Sequence, residues 1–372
     1  MPCRWAAWCV LGLFLLAGCQ RAGEPEAAPT PEVEARTETR ERQPFTLLAT
    51  GDNRGQIAPC GCEPPVGGLS RRVVYVRKRR EEGPLLVVDA GDALAEDGRA
   101  DPERARLILR AMAATGIEAA AVGELDLALG VAWLREEAAK AGVPYLAANL
   151  RSREGASLFP GRRIVEVGGN RVGVFAVLAT DRRLPDEIVL GDPVEAARGE
   201  VRALRSEGVD LVVGLVHGPM REVHRLAREV EVDLVVPAHQ GGNTDVYPSG
   251  GAWIAYAGSI GRSMLEAKID LRGEGRLVAT GFLERLRARE EELERTIEQG
   301  NARLASAPPS SARREIEERV AGAQRQIERV RTQREELRAG SSRTLESRFV
   351  HLVEKVGEDP EILEAIQRLE AR

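Results

Sequence analysis

Between residues 45 and about 272, short apolar runs rich in β-branched residues alternate with longer amphipathic ones, and this alternation restricts the folds open to the chain more than any other feature. FTLLAT precedes a helical pattern over 69–82, LLVVDAG precedes one over 102–115, and EAAAVG precedes one over 131–142, with PYLAANL after it. Strand, helix and strand in succession imply parallel strands covered by helices. The later runs RRIVEV, RVGVFAVL, DLVVGLV, DLVVPA, AWIAYAG and MLEAKIDL are denser in strand, so a second sheet packed on the first is expected. The expectation is an α/β fold of two sheets flanked by helices, and 372 residues with 43% hydrophobic content suffice to fill its core.

The flanking regions differ in composition. MPCRWAAWCVLGLFLLAGC has an early Arg4, an apolar run too short for the ~20 residues of a spanning helix, and small residues before Cys19. Leu16-Ala17-Gly18-Cys19 resembles a bacterial lipoprotein signal, which implies that residues 1–19 are a signal and that lipid on Cys19 anchors the chain to a membrane, facing the periplasm. Gln20 in place of Asp favours the outer membrane. Residues 20–43 carry Pro, Ala, Glu and Arg without periodicity and are expected to form a flexible linker to a domain over 44–282. Beyond 283, Ile316, Val320, Ala323, Ile327, Val330, Arg334 and Leu337 form an a/d seam, preceded by a stripe of Leu286, Leu293, Ile297 and Leu304. SAPPSS at 306–311 breaks the helix, with Ser311 as the expected cap, so 283–339 is expected to fold as a helical hairpin or coiled coil that can receive a protein partner. Residues 340–372 are expected to form a loop and short helices. A net charge of −5 with no basic patch excludes a nucleic-acid footprint.

Polar residues stand at the ends of the strand-like runs, where parallel α/β sheets bind ligands. Asp52-Asn53-Arg54 follows FTLLAT, Asp92 follows LLVVDAG, Glu124 follows AAAVG, His217 follows LVVGLV, and His239 follows DLVVPA. Carboxylate oxygens combined with imidazole nitrogens suit Zn, Mn or Fe better than Ca. Gly67-Gly68 is read as a tight helix entry, and His224 and His351 as solvated histidines in helical contexts.

TGDNRGQI, GGLSRR, VVDAGDAL, AVGELDLALG, YLAANL, VGLVHG, DLVVPAHQGG and AGSIGRSMLEAKIDL resemble, in order and spacing, the calcineurin-like metallophosphoesterases, most closely the N-terminal domain of bacterial 5'-nucleotidases. The nearby CGC segment is similar to that of the UshA-like (seleno)protein group. The resemblance implies a two-sheet sandwich and metal-dependent hydrolysis of a phosphate ester or nucleotide-like small molecule. Its D-x-H motif stands here as Asp52-Asn53-Arg54, and its G-D motif as Gly91-Asp92. G-N-H-E stands as Gly123-Glu124-Leu125-Asp126, the single His as His217, and G-H-x-H as Ala238-His239-Gln240-Gly241. One metal site thus loses both of its histidines, with Arg54 set to pair Asp52, whereas Asp92, Glu124, His217 and His239 remain for the other. The resemblance therefore implies one divalent transition metal, with Asp52, Arg54 and Asp92 as catalytic candidates and Asp52 as a further candidate ligand. Leu125 replaces the family's proton-donating His, so hydrolysis is expected to be reduced or altered.

Cys60 and Cys62, separated by one Gly, lie close enough to bond in a small ring suited to a labile couple, or to offer thiolates to a metal, or to act as an inert clip. The alternative function is accordingly a non-hydrolytic redox or metal-binding lipoprotein that acts through Cys60-Gly61-Cys62.

Overall fold

The computed structural model describes residues 41–239, 245–258 and 260–372. The signal, Cys19, most of the linker and Gln240-Gly241 lie outside the described residues. No helix among the described residues is long and apolar enough to cross a membrane.

Two large sheets carry the fold. The first has seven strands in the order Leu277–Ala279, Arg343–His351, Ser263–Asp270, Phe45–Thr50, Leu85–Asp89, Ala119–Ala121 and Tyr145–Leu146. The second has six, in the order Tyr247–Ser249, Ala252–Ile254, Leu234–Ala238, Leu211–His217, Asn170–Leu178 and Arg162–Val167. The central strands are parallel, from Phe45–Thr50 to Tyr145–Leu146 in the first sheet and from Asn170–Leu178 to Ala252–Ile254 in the second.

The burial pattern explains why these strands are apolar at nearly every position. Leu47, Ala49, Leu86 and Val88 point between the sheets, where they meet Val172, Val174, Leu215 and Val236. Leu48 and Val87, on the opposite face, lie under Leu69, Val73, Ile108, Leu134 and Ile362 of the covering helices. Helices Pro193–Ser206 and Met220–Glu229 cover the outer face of the second sheet through Val201, Leu204, Val223 and Leu226. Both faces of the central strands are thus dry, which removes the polar alternation of a half-exposed strand. Local chemistry starts the helices on cue: Asp101 and Asp192 each accept two backbone N–H groups of the following turn, with Pro next to the cap. Gly67 and Gly68 take positive φ at the entry to helix Leu69–Glu82, and a Cβ at Gly67 would lie 2.6 Å from the Gly261 carbonyl oxygen.

The C-terminal region departs from expectation. Residues 340–372 are not only loop and short helices: Arg343–His351 enters the first sheet, antiparallel to Ser263–Asp270 and parallel to Leu277–Ala279. Its sequence hides this, because only Leu345 is fully buried, while Arg348 and Glu346 stand among its charges and Arg348 pairs with Glu266 across the ladder. His351 therefore ends a strand rather than lying in a helix. Helix Pro360–Glu370 then packs Ile362 and Ile366 onto the core.

Between the edge strand Leu277–Ala279 and its neighbour Arg343–His351 the chain makes an excursion of two antiparallel helices, Thr280–Ala305 and Ser310–Arg338. Leu293, Ala323 and Ile327 form its seam, flanked by Ile297 and Val330. Arg334, at a seam position, reaches Glu290 at 2.6 Å, and Arg331 meets the same carboxylate. The second helix begins one residue before Ser311, after Pro309, without a side-chain cap.

Candidate metal centre

Parallel pairing places the C-terminal tips of neighbouring strands side by side, and the polar residues that follow them meet there. Asp92 Oδ2 lies 3.3 Å and Glu124 Oε2 2.7 Å from His217 Nε2. His239 Nδ1 lies 3.3 Å from the same nitrogen and 3.5 Å from Glu124 Oε2. One ligand atom from each of Asp92, Glu124, His217 and His239 falls within 4.8 Å of the other three, a donor set able to hold one metal ion.

Backbone geometry at the tips explains the glycines that precede the acids. A Cβ at Gly91 would lie 2.9 Å from His217 Nδ1, and one at Gly123 would lie 2.2 Å from Asp92 Oδ1. Asp52, Arg54, Asp92 and His239 all adopt positive φ, at 50°, 49°, 57° and 115°. Such conformations are costly for residues with a Cβ, and here they fall on residues that follow the strand tips.

A second layer of bonds fixes the donors. His217 is fully buried with Nδ1 2.9 Å from the Ala90 carbonyl oxygen, which makes Nδ1 a donor there and turns Nε2 toward the cluster. Thr180 donates its hydroxyl to Glu124 Oε1, turning Oε2 inward. Asp126, which sequence reasoning left without a role, accepts N–H groups from Asp92 and Ala93 at 2.9 Å, Leu94 at 3.1 Å and Gly123 at 2.9 Å. It ties the Asp92 loop to the Glu124 loop. Its place at the last position of the motif Gly123-Glu124-Leu125-Asp126 is the signal that could have drawn attention to it.

The electrostatics are those of a cation site. Burial alone would push the His217 imidazole down, yet hydrogen bonds and charge from Asp92 and Glu124 hold its proton well above the usual histidine range. Burial opposes ionisation of Glu124 too, but His217, His239 and Thr180 bring its carboxyl well below the usual range. Burial, reinforced by the neighbouring Asp92 charge, pushes Asp126 up to about 7 against its backbone donors.

Asp52 stands outside the four-residue cluster. It is fully buried, and its Oδ2 accepts the His239 N–H at 2.9 Å and the Tyr256 hydroxyl at 3.4 Å. Its Oδ1 has no hydrogen-bond donor, and Arg54 Nη2 is 3.8 Å away. Burial raises the Asp52 carboxyl above its ordinary value despite His217, the His239 N–H and Arg54. The Arg54 side chain is 43% exposed, bridging the buried carboxylate and solvent, with Nη2 also 3.3 Å from the His239 carbonyl oxygen. Leu125 sits beside the cluster with its N–H on Asp92 Oδ1 at 2.7 Å, and its side chain has no proton to give.

No family model matches the chain. Among curated proteins it is similar to a snake venom 5'-nucleotidase of Gloydius brevicauda, 28% identical over 222 residues, which cover 55% of this chain and 37% of that enzyme. It is also similar to the trifunctional nucleotide phosphoesterase protein YfkN of Bacillus subtilis, 23% identical over 264 residues, or 59% of this chain and 18% of that one. The chain therefore spans well under half the length of these relatives. Among solved structures, a 5'-nucleotidase precursor from Thermus thermophilus superposes with a TM-score of 0.58 and 20% identity, covering 88% of this chain and 59% of that one. The chain has the metallophosphoesterase fold of the 5'-nucleotidase type. The same fold is shared at a TM-score of 0.54 and 19% identity by the Thermus thermophilus sulfate thiohydrolase SoxB, over 61% of this chain and 54% of that one. Within this metallophosphoesterase fold Cys60 and Cys62 lie apart from the four-ligand cluster and are disulfide-bonded to each other.

Proposed function

We propose that the chain is a lipid-anchored, extracytoplasmic phosphoester hydrolase that works with one divalent transition metal, Zn, Mn or Fe. The observation that carries this reading is the convergence of Asp92, Glu124, His217 and His239 on one point, each donor fixed by its strand tip. A metal held there would supply Lewis acidity to a phosphate ester. His217 and His239 offer imidazole nitrogens, while Asp92 and Glu124 offset the positive charge. Arg54, half-exposed above Asp52, presents a planar fork that matches the oxygens of a phosphoryl group. Asp52 holds that fork in place.

Leu125 supplies no acid for the leaving group, so turnover is expected to be slow, and loss of one such donor typically costs ~100-fold or more. The relatives are named as nucleotidases and a nucleotide phosphoesterase, and this supports a small phosphate ester, nucleotide-like in class, as the substrate. Lipid on Cys19 would place the hydrolase at the cell envelope, facing the periplasm, on the outer membrane by the Gln20 signal. The charged faces of the helical excursion would serve a protein partner. Elemental analysis of the purified chain before and after His217→Ala tests the core of the reading, together with hydrolysis of an aryl phosphate ester. About one ion per chain, lost with the slow activity in the variant, supports it. Two ions in the parent chain, or none, overturn it.

A further inference from the structure

We infer that the Cys60–Cys62 disulfide is a thiol–disulfide exchange site for a soluble dithiol, in which Cys62 is the sulfur attacked and Cys60 the sulfur that leaves. The inference is independent of the hydrolase reading.

The bond does not hold the loop in place. It spans a sequence separation of 2, and a cross-link stabilises least when the loop it closes is shortest. Other contacts fix the segment: Cys60 N–H donates to the Val66 carbonyl oxygen at 2.9 Å, Leu69 N–H to that of Ile57 at 2.9 Å, and Gly67 N–H to that of Leu352 at 2.8 Å. Arg71 Nη1 donates to the Pro65 carbonyl oxygen at 2.9 Å and, through Nε, pairs with Glu358 at 2.7 Å. A cross-link whose loop is anchored without it is free to open and close.

The two sulfurs are not equivalent. Cys62 is exposed, whereas Cys60 is only partly so, and the Val66 N–H donates to Cys60 Sγ at 3.3 Å. Exchange requires an accessible sulfur for the incoming thiolate and a stabilised thiolate to depart. An incoming thiolate bonds to Cys62 Sγ; the S–S bond breaks, and its electron pair leaves on Cys60 Sγ, where the Val66 N–H receives it. The second thiol of the dithiol, deprotonated, then attacks the dithiol's own sulfur in the mixed disulfide and releases Cys62. Two electrons pass from the dithiol, which becomes a disulfide, to Cys60 and Cys62, which finish as a pair of thiols. The two protons given up by the dithiol balance those taken up by the cysteines.

The test uses the full chain in its oxidised form. With dithiothreitol, peptide mapping after alkylation should show Cys60 and Cys62 reduced together and reoxidised when the reductant is removed. With glutathione, the trapped mixed disulfide should sit on Cys62 in about fivefold or greater excess over Cys60. Val66→Pro, which lacks the N–H, should slow the exchange about tenfold. The double variant Cys60→Ser/Cys62→Ser should melt within about 2 °C of the parent. Resistance to dithiothreitol, glutathione mainly on Cys60, an unchanged rate in a folded Val66→Pro chain, or a large fall in Tm in the double variant would each overturn the inference.

Discussion

The two sides of Asp92 are built from similar residue types and yet are prepared for different occupants. On one side Glu124, His217 and His239 bring an oxygen and two nitrogens together around Asp92, all facing one point. On the other, Asp52 is fully buried, but its free Oδ1 faces Arg54 at 3.8 Å. Both sides gather negative charge into a dry place, which is costly unless a cation answers it. One side leaves that cation to be bound from solution, and the other carries it as part of the chain. A guanidinium cannot ligate and repels a second ion, so under the proposed function the cation fixed in the sequence is what limits the site to a single metal.

This contrast can be broken or sharpened by experiment. Asp92→Ala touches the ligand set directly and should lower metal affinity by more than ~100-fold, since even outer-layer losses cost 10–100-fold; isothermal titration with Zn or Mn checks it. Arg54→Ala should leave the metal content at one ion while weakening inhibition by inorganic phosphate by ~10- to 100-fold, the worth of charged hydrogen bonds. Unchanged phosphate inhibition would deny Arg54 its part in anion binding.

The pH dependence separates the two sides further. The raised His217 value means that the protonated imidazole supports the metal-free fold fully below about 6.5, its ordinary value, and that this support is lost as pH rises through the higher folded value. Metal needs the neutral nitrogen, so affinity should climb about tenfold per pH unit over the same range. In the metal-loaded chain the two effects offset each other, so its melting point should stay level over this range while that of the metal-free chain falls, and parallel curves would place the metal elsewhere. Thr180→Val, which frees Glu124 Oε1, should weaken metal binding by about tenfold. The smallest effect is expected far from the site: replacing Thr280–Arg338 by a short linker should leave metal affinity within about twofold. The helices leave and rejoin at strands that are already linked, Leu277–Ala279 and Arg343–His351. Removal of Arg343–His351 itself should be far more damaging, because Leu345 is fully buried in that sheet.

Where one residue's chemistry and one local pattern sufficed, the chain was legible. Helices over 69–82, 102–115 and 131–142 are found at Leu69–Glu82, Pro102–Ala114 and Val131–Ala141, because apolar periodicity and the Gly and Asp punctuation agree. The residues after the apolar runs were legible for the same reason, each standing where a strand must end. Arg343–His351 was not, because an edge-region strand with one fully buried residue carries too weak an alternation to outweigh its charges. Thr180 and Asp126 were missed for a different reason. Thr180 acts on a carboxylate 56 residues away, and Asp126 acts on backbone N–H groups of a loop more than 30 residues away.

The sequence by itself determined the kinds and order of the elements, the donors available at the strand tips and the presence of a fixed cation in the first loop. These are properties of side-chain chemistry and short-range periodicity, and both are written residue by residue. The resemblance implied that Asp92, Glu124, His217 and His239 form one set and that Arg54 pairs with Asp52, but only the tertiary structure decided how near they come: four ligand atoms within 4.8 Å of one another, and Arg54 3.8 Å from Asp52. It also decided that a segment after the helical excursion completes the first sheet. Those outcomes depend on strand register and on hydrogen bonds between distant segments, which the folded sheets fix and no local pattern encodes.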